Sequence, residues 1–97
     1  MDAQQIHPLL SDRNRLLIIT AVATSAKPID FSTLLSTLKL TRGNLAAHLR
    51  KLEDGGLISC EKQFVDRVPR TTYCCTAAGR ISMRNYLKTV ELLLKQV

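Results

Sequence analysis

Apolar residues return along this chain at two periods, and the places where the period changes mark its elements. Leu16, Ile19, Val22 and Ala23 recur at spacings of three and four, which puts them on one face of a helix over roughly residues 11–25. Ser11 stands where a cap belongs, with Asp12 in the first turn. Ala26-Lys27-Pro28 ends the helix, because proline disfavours helical geometry in the residue before it, and Pro28-Ile29 reads as a short extended link. Asp30 caps again, and Phe31, Leu34, Leu35 and Leu38 make one apolar stripe on a two-turn helix over roughly residues 31–38. Thr41 supplies the next cap. Leu45, Leu49 and Leu52 follow as a narrow buried stripe on a helix that runs to Asp54, and Gly55-Gly56 stops it by the left-handed route.

Beyond Gly56 the pattern turns strand-like. Leu57 to Lys62 and Arg70 to Cys75 read as a β-hairpin, with Gln63 to Pro69 forming a long basic tip. Alternation places Thr71, Tyr73 and Cys75 on one face of the second strand, and Thr72 and Cys74 on the other. Thr76 caps a final helix. From Met83 onward Met83, Leu87, Val90, Leu94 and Val97 stand 4, 3, 4 and 3 residues apart, a heptad seam with Tyr86, Leu92 and Leu93 beside it. The expected fold class is mainly α (α+β): one domain over residues 1–97, with a helix-turn-helix at 31–54, a two-stranded wing at 57–75 and a long terminal dimerisation helix at 76–97.

Charge sharpens this picture. The chain of 97 residues carries a formal net charge of +6. Residues 1–38 balance Arg13, Arg15 and Lys27 against Asp2, Asp12 and Asp30, so the whole excess lies between Lys39 and Lys95. Such asymmetry favours an anionic partner, nucleic acid or a membrane surface. The membrane reading is disfavoured because the cations are spread over helix, hairpin and tail and do not oppose one apolar face. No apolar run is long enough to span a bilayer, and Met1 to Leu10 carries Asp2 and no basic start, so the cytoplasm is the expected compartment. Three cysteines, Cys60, Cys74 and Cys75, form no disulfide framework.

The run Leu40-Thr41-Arg42-Gly43-Asn44-Leu45-Ala46-Ala47-His48-Leu49-Arg50-Lys51-Leu52-Glu53, followed by Gly55-Gly56-Leu57-Ile58, resembles the recognition helix of small ArsR/MarR-type winged helix-turn-helix regulators of bacteria and archaea. The stretch Lys62 to Arg80, with Phe64, Arg67, Pro69-Arg70-Thr71-Thr72-Tyr73 and Thr76-Ala77-Ala78-Gly79-Arg80, is similar to the wing and wing-to-helix joint of a single-domain subfamily in that group. It departs from the group at Asp66, a tip position usually small or basic, and at Cys74-Cys75, which replaces a polar-aliphatic pair.

The resemblance implies a homodimeric regulator that binds double-stranded DNA and represses by occupying it. A recognition helix fits the major groove, where residues near its start reach deepest. Arg42 is then suited to guanine O6/N7 and Asn44 to adenine N6/N7, with His48, Arg50 and Lys51 further along toward the backbone. Lys39 and Thr41 are candidate phosphate contacts, although Thr41 already has a role as a cap. Arg67 and Arg70 flank the wing tip, where a guanidinium enters the minor groove or bridges phosphates. Two readings stand for His48, a DNA contact or a hydrogen bond inside the domain. Two stand for the thiols, small apolar residues or a redox sensor. Met83, Leu87, Val90, Leu94 and Val97 are the expected dimer interface.

No cofactor or metal is expected: His7 and His48 lie far from the thiols, and no Cys-x-x-Cys spacing occurs. The chain has no nucleophile elbow, no phosphate-cradling glycine loop and no nucleophile beside a base, so it reads as a non-enzyme. The rival reading is a winged-helix protein-interaction or assembly module without DNA binding. The basic face of residues 39–51, which lacks both acids and aromatics, favours DNA over that rival.

Overall fold

A computed structural model describes residues 6–97; the start of the chain, including Asp2, lies outside the described residues. A short 3-10 turn, Pro8–Ser11, precedes α1 (Arg13–Thr24), β1 (Ile29–Asp30), α2 (Phe31–Leu38), α3 (Arg42–Asp54), β2 (Ile58–Val65), β3 (Val68–Cys75) and α4 (Ala77–Leu94). The three strands form one antiparallel sheet in the order β1-β3-β2.

The core is built around α1, which touches α2, α3, α4 and β3. Ile18, Ile19 and Val22 of α1 meet Leu34 of α2, Leu45, Leu49 and Leu52 of α3, and Leu57 and Ile58 at the start of the wing. Leu45 and Leu52 are fully buried and Leu49 nearly so. Burial of one such side chain contributes about 1.5–3 kcal/mol, so this stripe fixes which side of α3 faces inward. The rest of α3 is left to solvent by default.

The helix starts at Asp30, Thr41 and Thr76 are those that the sequence indicates: each side chain accepts a hydrogen bond from the N–H three residues on, at Thr33, Asn44 and Gly79. The start of α1 differs. Ser11 belongs to the preceding turn, where its Oγ donates to Pro8 O at 2.7 Å, and Asp12 is the cap, accepting from Arg15 N at 3.0 Å. Proline at the start of the 3-10 turn sets up an extra half-turn that takes Ser11 with it.

The expected link at Pro28-Ile29 contributes a third strand. Ile29 pairs with Tyr73 and Asp30 with Thr72. The long basic tip is also corrected: Gln63 to Val65 and Val68 to Pro69 continue the ladder, and only Asp66 and Arg67 form the turn. Both have positive φ, 52° and 67°, the backbone of a two-residue turn that matches strand twist. Aspartate enters this region more readily than most side chains, which explains an acid at the tip. Pro69 lies beyond the reach of β1, where β3 is an edge and tolerates proline.

The terminal helix ends at Leu94, so Val97 of the heptad seam falls outside it. At 18 residues it is about 27 Å long and helps to draw the molecule out to 53 × 25 × 22 Å. The seam is divided. Met83 packs on the core beside Tyr86, and Val90 is half-buried, whereas Leu87 and Leu94 are 59% and 65% exposed. Among the described residues no helix is long and apolar enough to cross a membrane.

One joint links α3, the wing and α4. Thr76 Oγ1 accepts from Gly79 N at 3.0 Å and donates to Gly56 O at 2.6 Å, while Thr76 N donates to Leu57 O at 3.1 Å. Thr76→Ala removes both side-chain bonds and should lower stability by about 1–2 kcal/mol in urea denaturation. Thr76→Ser keeps the hydroxyl and should recover most of that loss.

Candidate nucleic-acid interface

With Leu45, Leu49 and Leu52 turned inward, a helix of 3.6 residues per turn directs Gly43, Ala47 and Arg50 most nearly outward, with Asn44 and Lys51 on one flank. All five are exposed. Arg42 begins the helix and is also exposed; its guanidinium lies over the Phe31 ring, 5.9 Å from the centroid. An exposed cation–π contact is worth only about 0.5–1 kcal/mol, so it guides this side chain without locking it. Thr41 caps α3, accepting from Asn44 N at 3.2 Å. Lys39, with φ 55°, closes α2 by donating its backbone N–H to Leu35 O at 3.0 Å, and its side chain is exposed. The link between the two helices therefore exposes both Lys39 and Thr41 beside the start of α3.

His48 is placed differently. Its side chain is only 16% exposed and turns toward the domain, with Nε2 4.0 Å from Asp12 Oδ1. Among the described residues its Nδ1 is buried without a hydrogen-bond partner. Of the two sequence readings, this geometry matches the inward one. Asp12 sits between His48 and Arg15, whose Nη1 is also 4.0 Å away. The bond from Arg15 N, more than the nearby positive charge, holds the Asp12 carboxyl below its usual range.

The wing adds a second set of cations. Arg67 projects from the turn. Lys62, which the sequence reading did not single out, lines a groove between wing and α3 together with Ala46, Arg50, Glu53, Cys60 and Tyr73. The alternation of β2 carried the signal for Lys62, since it shares a face with Cys60, but only the packing of that face against α3 gives it meaning. Cys60 pairs with Tyr73 across the ladder, and burial, with the Cys60 thiol next in weight, pushes the Tyr73 phenol up to about 12. Cys75 is half-buried with its thiol raised by burial, and Cys74 is exposed. Among the described residues no cluster of three or more histidine, cysteine or acidic side chains is placed to hold a metal ion.

Arg70 turns away from this groove. Its Nη2 donates to Asp30 Oδ2 at 2.9 Å, bridging the free edge of β3 to the start of α2. The sequence reading missed this pair because forty residues separate its members. The cations thus divide in two. Arg15 and Arg70 stand against carboxylates, whereas Arg50, Lys51, Lys62 and Arg67 make no ion pair among the described residues. Those four lie on α3 and the wing, and Arg80, Arg84, Lys88 and Lys95, on and just after α4, also make no ion pair among the described residues.

A surface helix whose outward face is basic and small, flanked by a two-stranded basic wing, defines a winged helix domain. The family model for winged helix DNA-binding domains matches residues 14–94, and the chain belongs to that family. These are DNA-binding regulators and not enzymes. An uncharacterized protein of Methanocaldococcus jannaschii is 32% identical over 79 residues, covering 81% of this chain and 86% of that one. The transcriptional regulator homologue from Pyrococcus horikoshii superposes with a TM-score of 0.82 at 31% identity, over 91% of this chain and 86% of that chain. MarR superposes with a TM-score of 0.75 at 23% identity, over 91% of this chain and 66% of that chain, and shares the fold. Solved PadR and ArsR family regulators share it as well.

The Asp30–Arg70 bridge yields a pH prediction. The bonds from Thr33, and then the Arg70 charge, hold the Asp30 carboxyl below the ordinary value of 3.8. A carboxyl lowered by folding stabilises the native state above the ordinary carboxylate range and loses that contribution as pH falls through the folded value. Asp30→Asn retains a capping oxygen but not the charge. It should be less stable than wild type at pH 7, with the gap closing below about pH 4 in thermal melts across a pH series.

Proposed function

We propose that the protein is a homodimeric, cytoplasmic repressor that reads duplex DNA with α3 in the major groove and excludes other proteins from the promoter it occupies. The observation that carries this reading is the outward side of α3, where Arg50 and Lys51 stand exposed beside Gly43, Asn44 and Ala47 with no ion pair among the described residues, within a domain of a DNA-binding family. Arg42 and Asn44, at the start of α3, are assigned to base edges. Lys39, Thr41, Arg50, Lys51, Lys62 and Arg67 are assigned to phosphates, which position the protein without reading sequence. Arg70 acts through Asp30, holding the wing against α2.

The same reading assigns α4 to a second copy. Leu87 and Leu94 lie one above the other on the helix, both largely exposed, in a molecule whose other leucines are mostly covered. A two-fold pair would set two recognition helices about 34 Å apart, one turn of DNA. Met83 and Val90 border that stripe, and Val97 follows it beyond the helix end. The protein-interaction reading draws on a separate observation, the exposure of Phe64 and Val68 on the wing.

Fluorescence anisotropy over a salt series separates the two. A dimer touching on the order of 6–10 phosphates should lose duplex affinity steeply as salt rises. Binding that is undetectable at low salt would overturn the DNA reading and favour a protein partner. Arg42→Ala and Asn44→Ala should each cost about 1–3 kcal/mol on a selected site and little on scrambled duplex, whereas Lys51→Ala or Arg67→Ala should weaken both alike. Leu87→Asp combined with Leu94→Asp should sediment as a folded monomer and bind DNA more weakly, through loss of bivalent attachment. A double mutant that stays dimeric would move the interface elsewhere.

A further inference from the structure

The glycines of the fold have reasons, with one exception. Gly56 takes φ 78°, which side chains rarely adopt. A Cβ at Gly79 would collide with the Leu57 carbonyl, and one at Gly55 would displace the tip of the Leu9 side chain and crowd the Lys51 carbonyl. Gly43 answers to neither demand. It is the second residue of α3, with helical backbone, and among the described residues nothing stands within 4 Å of where its Cβ would be. Glycine in a helix weakens it relative to alanine, so this position spends stability for no return inside the molecule. It also points outward, opposite Leu45 and Leu49, between Arg42 and Asn44 and one turn before Ala47.

We propose that Gly43 is a specificity-determining position kept bare by the bound duplex: base edges of the major groove come into van der Waals contact with the α3 backbone at this residue. The proposal rests on α3 being the major-groove element and adds where it seats most deeply. A methyl group at Gly43 would hold the helix away from the bases by the width of that methyl. The short, directional bonds of Asn44 and Arg42 would then lengthen, while the longer-reaching phosphate contacts of Lys51, Lys62 and Arg67 would adjust. The fold has no objection to the added carbon, so fold and binding should respond in opposite directions.

The experiment compares wild type, Gly43→Ala and Gly43→Gln by thermal melting and by anisotropy on two duplexes, one selected from random sequence with the wild type and one scrambled. Gly43→Ala should melt at or above the wild-type temperature. It should lose about tenfold or more in affinity for the selected duplex, a difference of about 1.4 kcal/mol, and little on the scrambled one. Gly43→Gln should lose more on the selected duplex while remaining folded. Two results overturn the proposal: Gly43→Ala binding the selected duplex as wild type does, or a clear fall in its melting temperature, which would mean that the fold needs the glycine. Should wild type itself fail to bind duplex, the underlying function falls first and this proposal with it; wild-type binding with an indifferent Gly43→Ala removes this proposal alone.

Discussion

One hydroxyl determines how the parts of this domain are set against each other. Thr76 faces back across the start of the wing to the Gly56 carbonyl, forward to the Gly79 amide, and through its own amide to Leu57. The end of α3, the first residue of the wing and the first turn of α4 therefore meet in one hydrogen-bonded knot. Gly79 completes it, because only a residue without a Cβ lets the first turn of α4 lie against the Leu57 carbonyl. Met83, Tyr86 and the buried Thr89 pack α4 on the core further along. The knot fixes the direction in which α4 leaves, and with it the geometry between the outward face of α3 and the apolar stripe of Leu87 and Leu94.

Electrostatics divides the molecule along the same line. The half of the chain with balanced charge contributes Asp12 and Asp30, and these two carboxylates each hold an arginine, Arg15 and Arg70. The cations left without a carboxylate include Arg50 and Lys62, which line one groove beside Glu53, and Arg80, Arg84, Lys88 and Lys95 on and just after α4. The net charge of +6 is thus spread over α3, the wing and α4, and none of it comes from residues 1–38. Its arrangement depends on contacts between residues far apart in the chain.

That dependence also explains what the sequence made legible. The helix-turn-helix was readable because its signals are local: a capping side chain, then leucines at helical spacing, then Gly55-Gly56. The terminal helix was readable for the same reason. The strand β1 was not, since two residues cannot display a period, and its partner Tyr73 lies far along the chain. The turn was misjudged because Asp-Arg is a poor sign of a two-residue hairpin, where Asn-Gly or Asp-Gly would have announced one. At the start of α1, two good caps stand side by side, and only the turn begun by Pro8 decides between Ser11 and Asp12. His48 illustrates the limit for the site itself. Its position on the helix borders the buried stripe, and the nearby Asp12 that draws it inward comes from another element.

The tightness of the Asp66-Arg67 turn has a consequence for the sign of charge that the wing presents. Alternation puts Cys60, Lys62 and Phe64 on the side facing α3, and Ser59, Glu61 and Gln63 on the other. A slip of one residue in pairing would exchange these two rows and bring Glu61 to the place of Lys62. Two consecutive left-handed residues leave the hairpin no freedom to slip, because the reversal is completed in one step at a single point on the ladder. The handedness of two backbone units thus acts as a polarity selector, deciding whether the groove beside α3 is lined by an ammonium or a carboxylate.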